Sequence, residues 1–346
     1  MKSSDLRKSE DFFISLYNTL MSLSVGIVGL PNVGKSTLFN ALLKKQQAYA
    51  ANFPFATIEP NVGVVPVPDN RLEKLSKIYN SPIVPATIEF VDIAGLIEGA
   101  HKGEGLGNKF LHHIREVDAI CYVLRSFTDE NIIREGSKDP KNDLEILKTE
   151  LDLADLESQD RAAAKAKAGK ENENQLPLFS KKPFLVVLNV DESDLKNAKD
   201  LEEKFAKENN LETDQVIVIC AKTESELAGL SSEDQREYLK DLGVDKSGLE
   251  RVIKKAFATL GLITFLTAGE KEVRAWTIKD GIDAQAAAGV IHTDFSKKFI
   301  KADVVDFNDF IEFNGWKNCR EKGKVRSEGR DYVVKDGDVI EFKIGA

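Results

Sequence analysis

Short apolar runs alternate with longer amphipathic segments along most of this chain from about residue 23 onward. Runs typical of buried strands cover residues 24–28, 86–92, 119–124, 184–189 and 215–220, and residues 35–44 have the spacing of a helix. Strands separated by helical segments favour a mostly parallel sheet covered on both faces. We therefore predict a doubly wound α/β domain over residues 21–261.

A segment at about residues 143–180 interrupts this alternation. Leu144, Leu147 and Leu151 recur at near-helical spacing, an Ala/Lys-rich stretch follows, and Pro177 precedes the next strand. This pattern predicts a short insertion made of one exposed helix and a loop.

The C-terminal part, residues 262–346, has shorter apolar runs that are richer in strand-forming residues. Residues 332–335 and 339–343 flank an Asp-Gly pair, which is typical of a two-stranded hairpin. We predict a second, smaller α+β domain here. Residues 1–20 have an acidic lead and no small-residue cleavage site, so they read as an N-terminal extension rather than a signal peptide.

Composition narrows the class of protein. The formal net charge of -9 argues against a chain that coats nucleic acid over its whole surface. The three cysteines lie far apart without a C-x-x-C pair, which suits neither a zinc site nor a disulfide framework. No apolar run approaches the roughly 18 residues that a membrane span needs. We expect a cytoplasmic protein with no membrane partner.

The loop after the first predicted strand carries the clearest chemistry. Residues 29–36 fit G-x-x-x-x-G-K-[ST], with a strand before and a helix after. Gly29 and Gly34 let backbone N–H groups point at phosphate oxygens beside the positive end of the helix. Lys35 reaches the β and γ phosphates, and Ser36 offers a hydroxyl to magnesium. The loop predicts a nucleoside triphosphate site.

Two further signals point to magnesium and to the γ phosphate. Asp92 ends an apolar strand and is followed by Gly95, an order in which the carboxylate holds magnesium directly or through water and the glycine N–H senses the γ phosphate. Thr57 lies in the sequence between the P-loop and Asp92, where a threonine can close over magnesium. The alternative for Thr57 is a proline-bounded surface loop.

Leu96 stands where Ras-type GTPases carry a glutamine that positions water. An aliphatic side chain cannot orient water. Without a substitute, we expect slow intrinsic turnover, on the order of 10⁻⁴ to 10⁻² s⁻¹.

The base-reading motif also departs from the guanine-specific N-K-x-D pattern. Asn189 is kept, but Val190 replaces the lysine and Glu192 replaces the aspartate. The extra methylene displaces the carboxylate and weakens its paired hydrogen bond with guanine. Cys220 and Ala221 stand where backbone usually borders the base from the other side. We predict that ATP is preferred to GTP, with a GTP-preferring switch as the alternative.

Together these motifs resemble the Obg-like ATPases of the YchF type. The resemblance runs from about residue 23 to the C-terminus. The segments that carry it are G-L-P-N-V-G-K-S-T at 29–37, N-F-P-F at 52–55, F-V-D-I-A-G-L at 90–96, G-E-G-L-G-N at 103–108, K-E-V-R-A-W-T at 271–277, H-T-D-F at 292–295 and D-Y-V-V-K-D-G-D at 331–338.

The resemblance implies a G domain with a helical insertion, a C-terminal TGS domain of β-grasp shape, preference for ATP, and magnesium. It also implies association with ribosomes or other translation-linked partners. Carried over residue by residue, it assigns phosphate binding to Asn32, Val33, Gly34, Lys35, Ser36 and Thr37, magnesium to Ser36 and Thr57, and the adenine border to Asn189, Val190 and Glu192. Asn32 also matches the asparagine through which several glutamine-lacking relatives bind potassium.

Two features depart from that family. Arg134 stands where members often carry a histidine that is a candidate catalytic group. An arginine cannot act as a general base at neutral pH, but it can stabilise transition-state charge. The alternative for Arg134 is a surface-loop residue. The family's insertion is a two-helix coiled coil, and only one modest arm fits here.

A rival function is a nucleotide-sensing, ribosome- or RNA-binding module in which hydrolysis is incidental. A basic C-terminal segment supports it, with candidate contacts to ribosomal RNA phosphates through the TGS domain. Its members are Lys317, Arg320, Lys322, Lys324, Arg326 and Arg330. The alternative is a solvated charged helix.

Overall fold

The computed structural model describes residues 23–50, 61–93, 106–128, 139–167 and 177–345. Contacts divide the chain into two compact units. The first unit comprises Ser24–Val65 and Glu89–Leu260, and the second joins Pro66–Ile88 to the C-terminal residues from Gly261 onward.

The strands, in chain order, are β1 (Ser24–Val28), β2 (Val62–Pro66), β3 (Ile83–Val84), β4 (Thr87–Asp92), β5 (Ala119–Arg125), β6 (Phe184–Asn189), β7 (Val216–Ile219), β8 (Leu262–Ala268), β9 (Val273–Lys279), β10 (Phe299–Val305), β11 (Arg326–Glu328) and β12 (Val339–Ile344). The helices are α1 (Lys35–Ala50), α2 (Asn70–Tyr79), α3 (Leu106–Glu116), α4 (Pro140–Lys167), α5 (Ala198–Glu208), α6 (Ala221–Leu227), α7 (Ser232–Asp241), α8 (Gly248–Thr259), α9 (Ala284–Ile291), α10 (Thr293–Lys297), α11 (Phe307–Glu312) and α12 (Trp316–Glu321).

The first unit is built on a six-stranded sheet in the order β2-β4-β1-β5-β6-β7. The pairings of β1 with β4 and β5, of β5 with β6, and of β6 with β7 are all parallel. Every residue of β1, β5 and β7 is buried, which explains why these strands read as continuous apolar runs. The predicted α/β fold is confirmed.

Helix α4 forms the inserted arm. It is one helix of 28 residues, about 42 Å long at 1.5 Å per residue. Its N-terminal half buries Leu144, Leu147 and Leu151, and Leu156 is already 57% exposed. The helix is tied down near this point by Asp155, which accepts hydrogen bonds from the backbone N–H groups of residues 179 and 180 at 2.9 Å each. A single helix was predicted, and the expected loop after it falls partly on residues 168–176, outside the described residues.

The second unit holds a sheet in the order β11-β10-β12-β8-β9-β3. The hairpin of β8 and β9 is antiparallel, and the last strand, β12, lies between β8 and β10. Helix α9 packs on this sheet through Ala284, Ala287 and Ala288, in a core with Phe265 and Ile340. The predicted small α+β domain of β-grasp shape is confirmed.

The predicted hairpin over residues 332–343 is wrong. β12 pairs with β10 and β8, and Val333 makes only an isolated bridge to Asp283. Local side-chain bonds explain the difference. Asp338 accepts from the backbone N–H of Lys335 and from the hydroxyl of Tyr332, so the Asp-Gly segment is held as a capped turn.

The boundary between the units also differs from the prediction, which assigned residues 66–88 to the first domain. This segment docks on the C-terminal residues: β3 pairs in parallel with β9, and the Ser81 hydroxyl donates to the Gly269 carbonyl at 2.7 Å. Arg71 bonds Asp336 at 2.8 Å and the Thr264 hydroxyl at 2.8 Å. Burial alone would lower the pKa of the Arg71 guanidinium, but hydrogen bonds and charge attraction from Asp69 and Asp336 hold that pKa above its ordinary value.

Candidate functional site

The parallel pairing of β1 with β4 brings the two strongest sequence motifs to one edge of the sheet. Ile27 lies opposite Asp92 in the register, so the loop that follows β1 and the carboxylate that ends β4 leave the sheet side by side. Ligands of open parallel sheets bind at this carboxyl edge. The sequence spacing alone could not show that these motifs are neighbours.

The loop between β1 and α1 has the backbone of a phosphate-binding loop. Asn32 and Gly34 have positive φ angles of 60° and 99°, and Gly34 accepts the first helical bond from Leu38 at 3.0 Å. A methyl group on Gly29 would overlap the Val123 carbonyl oxygen of β5, so the loop passes too close to the sheet for any side chain there. The two glycines of the motif are required for these reasons.

Lys35 begins α1 and turns its amine back into the loop. Its Nζ donates to the Leu30 carbonyl at 2.7 Å, and the residue is 8% exposed. Burial lowers the pKa of Lys35, and the nearby Asp92 carboxylate opposes that shift. Burial likewise raises the pKa of Asp92, and Lys35 opposes it. The buried amine of Lys35 and the half-buried carboxylate of Asp92 thus attract each other beside the loop.

Three polar residues of the loop and of the first turn of α1 face solvent: Asn32, Ser36 and Thr37 are exposed. Val33 is buried, and its carbonyl takes part in the bridge described next. The arrangement leaves the hydroxyls at the start of α1 accessible to a ligand while the apolar side chain anchors the loop.

Asn189, the last residue of β6, joins the P-loop to the segments that were predicted to border the base. Its Nδ2 donates to the Val33 carbonyl at 2.9 Å, and its Oδ1 accepts from the Ala221 backbone N–H at 2.9 Å. The side chain is buried. One amide therefore fixes the loop, the end of β6 and the start of α6 relative to one another.

Glu192 is exposed, and its Oε2 accepts from two hydroxyls. The Thr223 hydroxyl lies 2.7 Å away and the Tyr238 hydroxyl 3.2 Å away. Sequence reasoning missed both partners. Thr223 lies two residues after Ala221, which was predicted to border the base, and could have been suspected. Tyr238 lies on α7, and no sequence signal links it to Glu192.

The remaining base-site residues are placed differently from Glu192. Val190 is only 3% exposed, so its side chain packs inside the protein and offers little surface to a base. Cys220 and Ala221 are also buried, and Ala221 contributes its backbone N–H to Asn189. Asp191 is turned to another partner, since its Oδ2 accepts from the backbone N–H and the hydroxyl of Thr128.

Three predicted site residues, Thr57, Gly95 and Arg134, lie outside the described residues, as does Leu96. Across the part of the chain that the structure describes, no helix is long and apolar enough to cross a membrane.

A phosphate-binding loop at the end of β1, a carboxylate at the end of the neighbouring strand and an asparagine-anchored base segment define a P-loop nucleoside triphosphatase of the G-domain class. Comparison with known proteins supports this class. A family model described as a 50S ribosome-binding GTPase matches residues 24–190. A model for the C-terminal part of YchF GTPases, described only as a protein of unknown function, matches residues 262–345.

The relatives identify the family. The chain is 46% identical to the ribosome-binding ATPase YchF of Bacillus subtilis, over 93% of this chain and 99% of that protein. It is 47% identical to the ribosome-binding ATPase YchF of Haemophilus influenzae, with the same coverage. The solved structure of the Schizosaccharomyces pombe YchF GTPase superposes with a TM-score of 0.80 at 36% identity, covering 93% of this chain and 98% of that one. The chain belongs to the YchF family.

Proposed function

We propose that this chain binds ATP with Mg²⁺ at the P-loop, hydrolyses it slowly and uses the nucleotide state as a switch in association with ribosomes. The observation that carries the nucleotide part is the Asn189 bridge, which fixes the P-loop and the base segment in one frame with Glu192 presented beside them. The bacterial relatives are named ATPases and the yeast relative a GTPase, so the choice of base has to be argued from the site.

Magnesium is supported by the donor set. The exposed hydroxyl of Ser36 and the half-buried carboxylate of Asp92 are oxygen ligands, which Mg²⁺ prefers together with substrate phosphates and water. A cage of several protein carboxylates is not needed for such an ion, and none of three or more candidate ligands occurs among the described residues. When bound, Mg²⁺ neutralises charge that develops on the β and γ phosphates.

Potassium beside Asn32 is an additional hypothesis, motivated by this exposed asparagine in the loop. Such an ion would add positive charge at the β–γ bridge. Equal turnover in sodium and in potassium would exclude it.

The nucleotide assignment is tested by titrating ATP and GTP, each with Mg²⁺, against the wild type and Glu192→Asp. We expect the wild type to bind ATP more tightly. Shortening the carboxylate to the aspartate of guanine-specific sites should move the ratio toward GTP by roughly tenfold, about the value of one well-made hydrogen bond to a charged group. Val190→Lys is left out of the design because it would place an ammonium in a buried position.

Asp191→Glu is the matched control, because the neighbouring carboxylate gains a methylene but is held by Thr128. Its ATP-to-GTP ratio should equal that of the wild type. Tighter GTP binding by the wild type would make this chain a GTPase and overturn the base assignment.

Association with ribosomes, and with it a cytoplasmic location, is supported by the bacterial relatives, which are ribosome-binding ATPases by name. In the second unit, half of the basic segment is committed to intramolecular pairs: Arg320 bonds Glu341, Lys324 lies 3.2 Å from Asp309, and Arg326 lies 3.5 Å from Asp338.

The other half of that segment, Lys317, Lys322 and Arg330, is exposed and has no ion pair with another described residue. These three side chains are the proposed contacts with ribosomal RNA phosphates. Replacing all three with glutamine should weaken ribosome binding and reduce the slope of log K against log salt by about two to three. Replacing Arg320, Lys324 and Arg326 with glutamine is the charge-matched control, and an unchanged slope in the first variant would exclude the contact.

A further inference from the structure

The carboxylate of Glu192 is held asymmetrically. Both hydroxyl donors, Thr223 Oγ1 at 2.7 Å and Tyr238 OH at 3.2 Å, go to the same oxygen, Oε2. Oε1 receives no hydrogen bond from another described residue. The two donors come from different helices, α6 and α7, so the carboxylate is fixed from two sides.

The two donors saturate one oxygen. A carboxylate oxygen has two lone-pair sites, and two hydroxyl protons occupy both on Oε2. Thr223 is 1% exposed, so its hydroxyl has no water to turn to and needs this acceptor. With respect to the described residues, Glu192 therefore presents one unoccupied oxygen to a ligand instead of the two that a free carboxylate presents.

Purine bases differ in what they donate along the edge that such a carboxylate reads. Guanine presents two adjacent donors, the ring N–H and the 2-amino group, which suit the two oxygens of a carboxylate in a paired hydrogen bond. Adenine has a single donor group on its Watson–Crick edge, the 6-amino group, which lies where guanine carries its O6 acceptor, and adenine N1 is an acceptor. One free carboxylate oxygen is enough to accept from the single amino group of adenine, whereas it leaves one of the two guanine donors without a partner, which costs binding free energy.

We propose that Thr223 and Tyr238 are specificity-determining positioning residues, which hold Oε2 of Glu192 so that only Oε1 reads the base and a 6-aminopurine is favoured over guanine. This inference rests on the proposed ATP-binding function. The base preference is then set by two hydroxyls outside the segment 189–192 as well as by the extra methylene of Glu192.

The adjacent carboxylate provides an internal comparison. Asp191 also accepts from a threonine, since Thr128 donates its hydroxyl at 2.8 Å and its backbone N–H at 3.0 Å. That pair has the same chemistry one residue earlier in the chain and involves neither Glu192 nor the helices that hold it. Thr128→Val is therefore a matched control for Thr223→Val.

The test uses the full chain and measures affinities for ATP, GTP and ITP, each with Mg²⁺, by titration calorimetry. The variants are Tyr238→Phe and Thr223→Val, with Thr223→Ser as a rescue that keeps the hydroxyl. Tyr238→Phe removes only an oxygen at a half-exposed position, and Thr223→Val is nearly isosteric, so both should fold. Thermal melts of each variant check this.

We expect each deletion to lower the ATP-to-GTP affinity ratio by roughly five- to tenfold, chiefly through tighter GTP binding. ITP lacks the 2-amino group and has one donor on this edge, so its affinity should rise less than that of GTP. A general loosening of the pocket would move GTP and ITP alike. Thr223→Ser and Thr128→Val should keep the wild-type ratios.

Wild-type ratios in both Tyr238→Phe and Thr223→Val, with an ATP-preferring wild type, would overturn this inference and leave the proposed function standing. Equal gains for GTP and ITP would also overturn it. A wild type that binds GTP more tightly than ATP would overturn the proposed base preference and this inference together.

Discussion

Lys35→Met is expected to reduce nucleotide hydrolysis severely without destabilising the fold. The lysine amine is the only cation that the described part of the loop places beside the phosphate-binding backbone, and it donates to the Leu30 carbonyl at 2.7 Å. Removing one preorganised charge from a phosphoryl-transfer site should lower turnover on the order of 10²- to 10³-fold or more. ATP affinity should fall as well.

Stability should stay the same or rise because the charged form of Lys35 is costly where it lies. Burial lowers its pKa, so the unfolded chain holds the proton more tightly than the folded protein does. That cost is fully present at pH values below the lowered pKa of the folded protein, fades as the pH rises from there to the ordinary lysine pKa, and is absent above it. Methionine has a similar length and no charge to desolvate.

Lys44→Met is the matched control for this experiment. Lys44 lies on the same helix, is exposed, and donates to the Ser225 carbonyl at 2.8 Å. It should keep wild-type turnover and ATP affinity. A clear drop in Tm for Lys35→Met at pH 7 would contradict the desolvation argument, and near-wild-type turnover would contradict the assignment of Lys35.

The pattern of apolar residues was sufficient to predict the central strands of the first unit, because these parallel strands are buried on both faces. β1, β5, β6 and β7 appear as apolar runs within a residue or two of their observed ends, and the P-loop motif is contiguous. Helix α1 extends six residues beyond its predicted end at residue 44, since no glycine or proline stops it there.

The second unit was harder to predict because its sheet is completed by distant segments. β12 pairs with β8 and β10 rather than with its neighbour in the chain, and β3 arrives from residues 83–84. An ion pair such as that of Arg71 with Asp336 links positions 265 residues apart and leaves no periodic signal. Long-range pairing of this kind is a property of topology, not of local pattern.

The candidate site was likewise predictable where a contiguous motif defines it and not where distant segments meet. The residue types that phosphate binding requires were evident from the motif, while the contacts that orient Glu192, the proposed base-reading residue, were not. Asn189 was predicted to border the base, and the structure adds that its amide bridges Val33 and Ala221. Tyr238 contacts Glu192 across 46 residues of sequence. Such contacts depend on how α7 packs, which no single-sequence pattern encodes.

The bridge of Asn189 makes Gly34→Ala the second substitution with a large expected effect. Gly34 has a φ of 99°, and a methyl group there would overlap the Asn189 Nδ2 that donates to the Val33 carbonyl. The variant combines backbone strain with a displaced anchor. We expect a loss of stability of about 2–5 kcal/mol and of turnover on the order of 10²-fold, because the loop must shift relative to the base segment.

Gly243→Ala separates these two causes. Gly243 has a φ of 73° with open space where a methyl would lie, so it carries the conformational cost alone, about 1–2 kcal/mol. Its ATP affinity should equal that of the wild type. Urea denaturation and nucleotide titration of both variants give the comparison, and a Gly34→Ala protein that behaves like Gly243→Ala would show that the Asn189 overlap has no consequence.

A double-mutant cycle then locates the effect. In an Asn189→Ala background the amide that the new methyl would strike is gone, so adding Gly34→Ala should cost no more stability than Gly243→Ala does. If the full penalty persists without the Asn189 amide, the strain resides in the loop backbone itself. If it disappears, the close approach of Gly34 to Asn189 is what requires glycine at the P-loop and couples that loop to the base-reading segment.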